Sequence, residues 1–280
     1  HNTLFYGNII KNVALNGQGI AFTNSDNLTL RKNTIETSNA SGVNIQGNGL
    51  LQVDSNYVKS ENSNGTGIQV NSSNTVKFTN NSLAGSTSTA LDIKGLDVSI
   101  TNDSITGGKT ALKLSGIDRG NMNFDGHLVV RNNTISGFTT GVFSLSGMDS
   151  LTVVGNKIES ANLPDGTNHY FTQGMMYGGK MRLDSNNIKV SSSNYFRLYS
   201  FVSSGSANYI SNNNIEVLST NSNRWSPELT TLMYGKEIKN NIIQLKQYSY
   251  SGGNNSPERI LFQGDYVWDN DVVLTPYFYS

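Results

Sequence analysis

The chain has 280 residues, with 20 basic and 20 acidic side chains, no cysteine and only 14% charged residues. That balance excludes the positive excess of a duplex-binding protein, and the missing cysteine excludes disulfide frameworks, thiolate metal sites and cysteine nucleophiles. No apolar run is long enough to span a bilayer as a helix, so membrane insertion is not expected.

In chain order, one pattern recurs: apolar-x-x-Asn-x-apolar. It runs Phe5-Asn8-Ile10, Leu30-Asn33-Ile35, Val53-Asn56-Val58, Phe78-Asn81-Leu83 and Ile100-Asp103-Ile105. It continues Val130-Asn133-Ile135, Val153-Asn156-Ile158, Leu183-Asn186-Ile188, Ile210-Asn213-Ile215, Ile238-Asn241-Ile243 and Val267-Asn270-Val272. A period of 22 to 30 residues sustained from residue 8 to residue 270 is the signature of a repeat architecture. The start, His1-Asn2-Thr3-Leu4-Phe5, carries no initiator Met and no signal pattern. Residues 1–280 therefore read as one domain cut from a longer chain, with further chain expected before His1.

Within each repeat, period-two alternation predicts short strands. One precedes the anchor (Leu28-Thr-Leu30, Leu51-Gln-Val53, Leu128-Val-Val130), one follows it, and a third opens at glycine (Gly19-Ile-Ala-Phe22, Gly42-Val-Asn-Ile45, Gly67-Ile-Gln-Val70). No helical stripe interrupts them. A single coil of this kind cannot bury its own apolar residues, whereas stacked coils share a continuous core. The Asn suits a corner, since it tolerates a left-handed backbone and its amide can donate and accept along a stack of identical residues. Asp103 keeps the acceptors and loses the donors, so a local weak spot is expected there. A leucine-rich repeat would place an apolar residue eight positions before the Asn, where this chain has Ser25, Asn48 and Ser73.

Segments such as Gly42-Val-Asn-Ile45 … Leu51-Gln-Val-Asp-Ser-Asn56-Tyr-Val58, repeated eleven times, resemble the right-handed parallel β-helix proteins of the pectate-lyase-like superfamily. The resemblance implies an all-β, single-stranded right-handed parallel β-helix, a solenoid of about eleven coils with an Asn ladder. At ~4.8 Å per coil the rod would be roughly 50 Å long. In that family substrates lie along one sheet, here the glycine-led strands, termed the groove sheet.

Alternation turns Asn44, Gln46, Gln69, Asn71, Asp92, Lys94, Lys113 and Ser115 outward on the groove sheet, so charge first appears at the fourth and fifth coils. Coil length also jumps there. One insertion, Ser115 to His127, leaves the groove strand; a second, Glu159 to Phe171, enters one two coils later, and both internal histidines ride on them. Asp92, Lys113, Asp118, Arg119, Asp125 and His127 are accordingly the candidate catalytic residues. Two carboxylates could serve as acid and base across a glycosidic bond, or a Lys, Arg or His could abstract a sugar proton in lyase chemistry. Asp125-Gly-His127 only echoes the Gly-His-Gly element of polygalacturonases and lacks its Asp-Asp partner, so no family residue is carried over. Two loop histidines are too sparse for zinc, and no cofactor is expected. A calcium site from Asp and backbone oxygens is left open, without a recognisable loop.

Of 26 aromatic residues, 18 follow residue 160. His169, Tyr170, Tyr177 and Tyr199 are the candidate sugar-stacking residues, with interior stacking or an oligomer contact as the competing explanation. Together these observations point to surface-polysaccharide recognition and depolymerisation, by a hydrolase or lyase resembling a phage tailspike or a secreted depolymerase. The alternative is a non-catalytic adhesin or structural shaft, with a homotrimer as a third option. Each implies an extracellular, virion or cell-surface location, with polysaccharide rather than nucleic acid as partner.

Overall fold

The computed structural model describes residues 2–14, 18–38, 41–47, 49–72, 74–85, 87–118, 124–161, 168–175, 180–192, 197–199, 207–219, 229–249 and 259–278. Every described element is a β-strand, and the strands wind into a parallel solenoid. Each repeat contributes a strand before the anchor, one after it and one in the groove sheet, as in Asn27–Arg31, Thr34–Ser38 and Ser41–Gly47. The post-anchor sheet contains eleven strands, one per anchor. Eight coils carry three separate strands; thereafter the long strands Leu229–Lys239 and Arg259–Trp268 run from the groove sheet into the pre-anchor sheet without a break. Coils built of three separate strands are therefore fewer than the eleven repeats.

Register is held in step along the rod. Leu28, Leu51, Val76, Val98, Leu128 and Leu151 succeed one another in the pre-anchor sheet. Their counterparts two residues on begin with Leu30, Val53, Phe78 and Ile100, and all are buried. Each fully buried side chain of this kind contributes about 1.5–3 kcal/mol, and a one-residue slip would turn the whole row to solvent. The solenoid interior is thus a set of stacked aliphatic rows. Phe143 and Phe171 meet edge-to-face at 5.4 Å within it.

The anchors form the ladder that the repeat implied. The backbone N–H and the amide of Asn33 both donate to Asn56 Oδ1, at 3.0 and 2.9 Å, and Asn56 repeats the pattern onto Asn81. The same pair of bonds recurs from Asn133 through Asn156, Asn186, Asn213 and Asn241 to Asn270. A second amide hydrogen goes to a backbone carbonyl of the preceding coil, as from Asn56 to Leu30. The left-handed bend falls one residue earlier than expected. The residue before every anchor, from Gly7, Lys32 and Ser55 to Asn240 and Asp269, has φ between 50° and 69°. The bend at that position turns the chain so that the next side chain points inward, which leaves the anchor free to serve as a buried hydrogen-bonding group.

Glycine opens the early groove strands where the backbone of the next coil approaches closely. A Cβ on Gly42 would lie 2.3 Å from the Gly67 carbonyl oxygen, and one on Gly67 would lie 2.4 Å from that of Ala90. Further along, the inward positions that start the groove strands are filled by Ala90, Ala111, Val142 and Phe171, all buried.

Candidate functional site

Outward positions of the groove sheet stack in register as Asn44, Gln69, Asp92, Lys113 and Ser144, one per coil. A second row, Gln46, Asn71, Lys94, Ser115 and Ser146, lies two residues further along each strand. Strand alternation alone sets this arrangement, since residues i and i+2 share a face. Lys113 Nζ donates to Asp92 Oδ2 at 3.0 Å; the lysine side chain is 50% exposed and the aspartate 15%. The two sequence-predicted residues thus form one ion pair, with an exposed ammonium that retains unused donors.

Asp125 and His127 belong to a different group. Ile117–Asp118 and Phe124–Asp125 pair antiparallel, so the two described ends of the first insertion form the stem of a hairpin on the corner that follows the groove strand Thr110–Ser115. Gly116 and Gly126 form the foot of this hairpin, and a Cβ on Gly126 would lie 2.9 Å from the Gly116 Cα. Past that foot, His127 opens the pre-anchor strand His127–Arg131. Its Nδ1 lies 2.9 Å from Ser150 Oγ and 3.6 Å from Asp149 Oδ2, and its Nε2 lies 3.8 Å from Asp125 Oδ1. Two carboxylates thus flank the imidazole, and Ser150 orients one ring nitrogen.

The candidate catalysts therefore divide into Asp92–Lys113 on the groove sheet and Asp125–His127 at the adjoining corner. Asp118 lies on the hairpin strand Ile117–Asp118, while Arg119 lies outside the described residues. Asp149 and Ser150 escaped the sequence reading. Ser150 is in register with His127 one coil on and Asp149 precedes it, and nothing in their local sequence marks them apart from that repeat distance.

A family model described as the right-handed β-helix region matches residues 18–215, more than half of the chain. The chain belongs to the right-handed β-helix family. No curated protein and no solved structure matches it. In this β-helix the stacking candidates lie at the C-terminal side of the hairpin. His169 and Tyr170 fall on the groove strand Asn168–Met175, in register with Leu198 and Tyr199 of the next coil. Tyr177 lies outside the described residues.

Tyr170 is half-buried, and its ring lies over Gly141: a Cβ there would come within 2.1 Å of Tyr170 Cε2. Its hydroxyl reaches across that coil to Thr110 Oγ1 at 2.9 Å. The tyrosine is therefore laid flat along the sheet by a glycine beneath it and a threonine two coils away. No His, Cys, Asp and Glu cluster capable of holding a metal occurs among the described residues.

Proposed function

We propose that this β-helix recognises a surface polysaccharide along its groove sheet. The reading rests on the axial row Asn44, Gln69, Asp92, Lys113 and Ser144, which offers donors and acceptors at one coil spacing over consecutive coils. A repeating polar row of low net charge matches a long, hydroxyl-rich polymer, and Tyr170 adds a ring at one end of it. Such a module would work outside the cell, on a virion or a cell surface.

Depolymerisation is the second reading, and the observation favouring it is His127 between Asp125 and Asp149. That imidazole could give or take a proton at a glycosidic bond or a ring carbon lying over the hairpin corner. Against it stands the groove row itself. Its single carboxylate among the described residues, Asp92, is already engaged by Lys113.

The test is incubation with capsular, teichoic and uronate polysaccharides, followed by mass spectrometry and by binding measurements on wild type, Lys113→Ala and His127→Ala. Bound but intact polymer, with affinity lost in Lys113→Ala, supports recognition. Hydrated or unsaturated fragments that vanish in His127→Ala establish cleavage. Binding unaffected by Lys113→Ala overturns the groove-sheet reading.

A further inference from the structure

The outward face of the pre-anchor sheet carries a cleft of about 430 Å³ that the groove-sheet reading does not use. Arg182, Tyr209 and Glu237 follow one another in register along one row, and Asp184, Ser211 and Lys239 along the next, with Asn212 at the corner. Its volume falls within the range of small-molecule sites.

Asp184 is the hub of this cleft. Its side chain is 9% exposed; Oδ2 accepts from Arg182 at 2.6 Å, and Oδ1 accepts from Ser211 at 2.9 Å and Asn212 at 2.8 Å. Burial pushes this carboxyl up, yet the hydrogen bonds from Asn212, Arg182 and Ser211 outweigh it and hold the group below the usual carboxylate range. Three polar side chains are thereby fixed before any ligand arrives, which lowers the ordering cost of binding. Across the cleft Lys239 pairs with Glu237 and also sits 5.3 Å from the Trp268 ring centroid.

Charge in the cleft is balanced, two cations against two carboxylates, and each cation already faces its counter-charge. An added anion would compete with Asp184 and Glu237, and an apolar ligand would strip four charges of water without replacing it. A neutral polyhydroxyl ligand does neither. Its hydroxyls can accept from the remaining guanidinium N–H groups and donate to Glu237 and to the oxygen of Ser211. Tyr209, 38% exposed, supplies the ring face that the apolar side of a pyranose needs. A smaller cleft of about 270 Å³ lies in the same two rows toward the N-terminus, around Arg31, Gln52, Asp54 and Lys77. It too is built on an Arg–Asp pair, Arg31 to Asp54 at 2.9 Å. The six coil steps between them amount to ~29 Å, so one glycan chain laid along the rod would pass over both.

We propose that the Arg182–Lys239 cleft is a binding site for a neutral saccharide, on a face distinct from the groove sheet. The site does not depend on the groove-sheet reading. Titration calorimetry with neutral hexasaccharides of glucose, mannose, galactose and N-acetylglucosamine, and with hexagalacturonate, would be run on wild type, Tyr209→Ala, Tyr209→Phe and Lys113→Ala. The expected result is that at least one neutral hexasaccharide binds and that Tyr209→Ala weakens it about tenfold, equivalent to ~1.4 kcal/mol. Tyr209→Phe keeps the ring and should retain the affinity, and any binding that survives Tyr209→Ala but is lost in Lys113→Ala belongs to the groove sheet. The proposal is overturned if Tyr209→Ala binds as wild type does, if hexagalacturonate binds more tightly than every neutral sugar, or if no neutral sugar binds at about 1 mM. Loss of binding in Lys113→Ala alone would sink this site while leaving the groove-sheet reading standing.

Discussion

Asn81 donates both its backbone N–H and its amide to one oxygen of Asp103, at 2.6 and 2.8 Å, while the other oxygen of that buried carboxylate has no partner. In every neighbouring coil the equivalent atom is an amide nitrogen that gives a hydrogen to the preceding coil, as Asn81 does to the Val53 carbonyl and Asn133 to that of Ile100. By the same periodicity an amide at position 103 would donate to the Phe78 carbonyl, which a carboxylate oxygen cannot do. Burial pushes the Asp103 carboxyl up to about 6; the N–H groups of Asn81 pull it down, and the charge of Asp54 adds to the rise.

The consequence is a pH-dependent weak point with a defined sign. A carboxyl whose folded value is raised binds its proton more tightly in the folded chain, so acid stabilises the fold here. The penalty is absent below the ordinary value of 3.8, grows as pH rises, and is complete above about 6. It is on the order of 3 kcal/mol at neutral pH. Asp103→Asn restores the donor and should raise the thermal midpoint at pH 7.5, with little change at pH 4. Identical pH profiles for the two proteins would remove Asp103 from the account.

The ladder was legible because ten of eleven anchors are the same residue, and the core because period-two alternation has one inward solution. The corner geometry was less so. The left-handed position is held by Gly, Lys, Ser, Asn and Asp in different coils, so no residue type marks it, and only the backbone shows that it precedes the anchor. Lys32 illustrates the cost. An ordinary side chain in this conformation loses roughly 1–2 kcal/mol, and Asn much less. Lys32→Asn forfeits a Lys32–Tyr6 cation–π contact at 5.8 Å, worth about 0.5 kcal/mol at an exposed site. A net gain of about 0.5 kcal/mol is expected, read as a higher denaturant midpoint; a loss would show that the contact outweighs the strain.

The candidate site was only half legible for a similar reason. Alternation placed Asp92 and Lys113 on one face; Ser150, six residues before its anchor as His127 is before its own, followed from the repeat, but the approach of the Asp149 carboxylate from the position before it did not. The pre-anchor cleft was missed because its signal is brief: opposite charges two residues apart, Arg182 with Asp184 and Glu237 with Lys239, each just before an anchor.

Gly141 offers a way to move Tyr170 without removing it. A methyl group there would collide with the Tyr170 ring rather than with backbone, so Gly141→Ala should displace the ring and break its bond to Thr110 while the coil stays folded. If the flat ring is part of the groove-sheet surface, polysaccharide affinity should change severalfold in Gly141→Ala with a thermal midpoint close to wild type. Unchanged affinity would assign Tyr170 to packing alone.

Asp184 and Asp103 respond to acid in opposite directions, and their separation along the rod makes this measurable. Asp184 is held ionised by Asn212, Arg182 and Ser211, so its contribution is present above the ordinary carboxylate value and is lost as pH falls through its lowered one. Its window therefore lies below that of Asp103, which closes near pH 4. Because each coil of a solenoid touches only its neighbours, local stability can change in one region without the other. Hydrogen exchange corrected for its intrinsic pH dependence should show the strands Thr75–Thr79 and Asp97–Thr101 becoming better protected from pH 7 to pH 4.5. The strands Lys180–Asp184 and Ala207–Ser211 should hold steady over that range and lose protection only in stronger acid. A uniform change along the chain would mean that the rod titrates as one cooperative unit and that neither carboxyl acts locally.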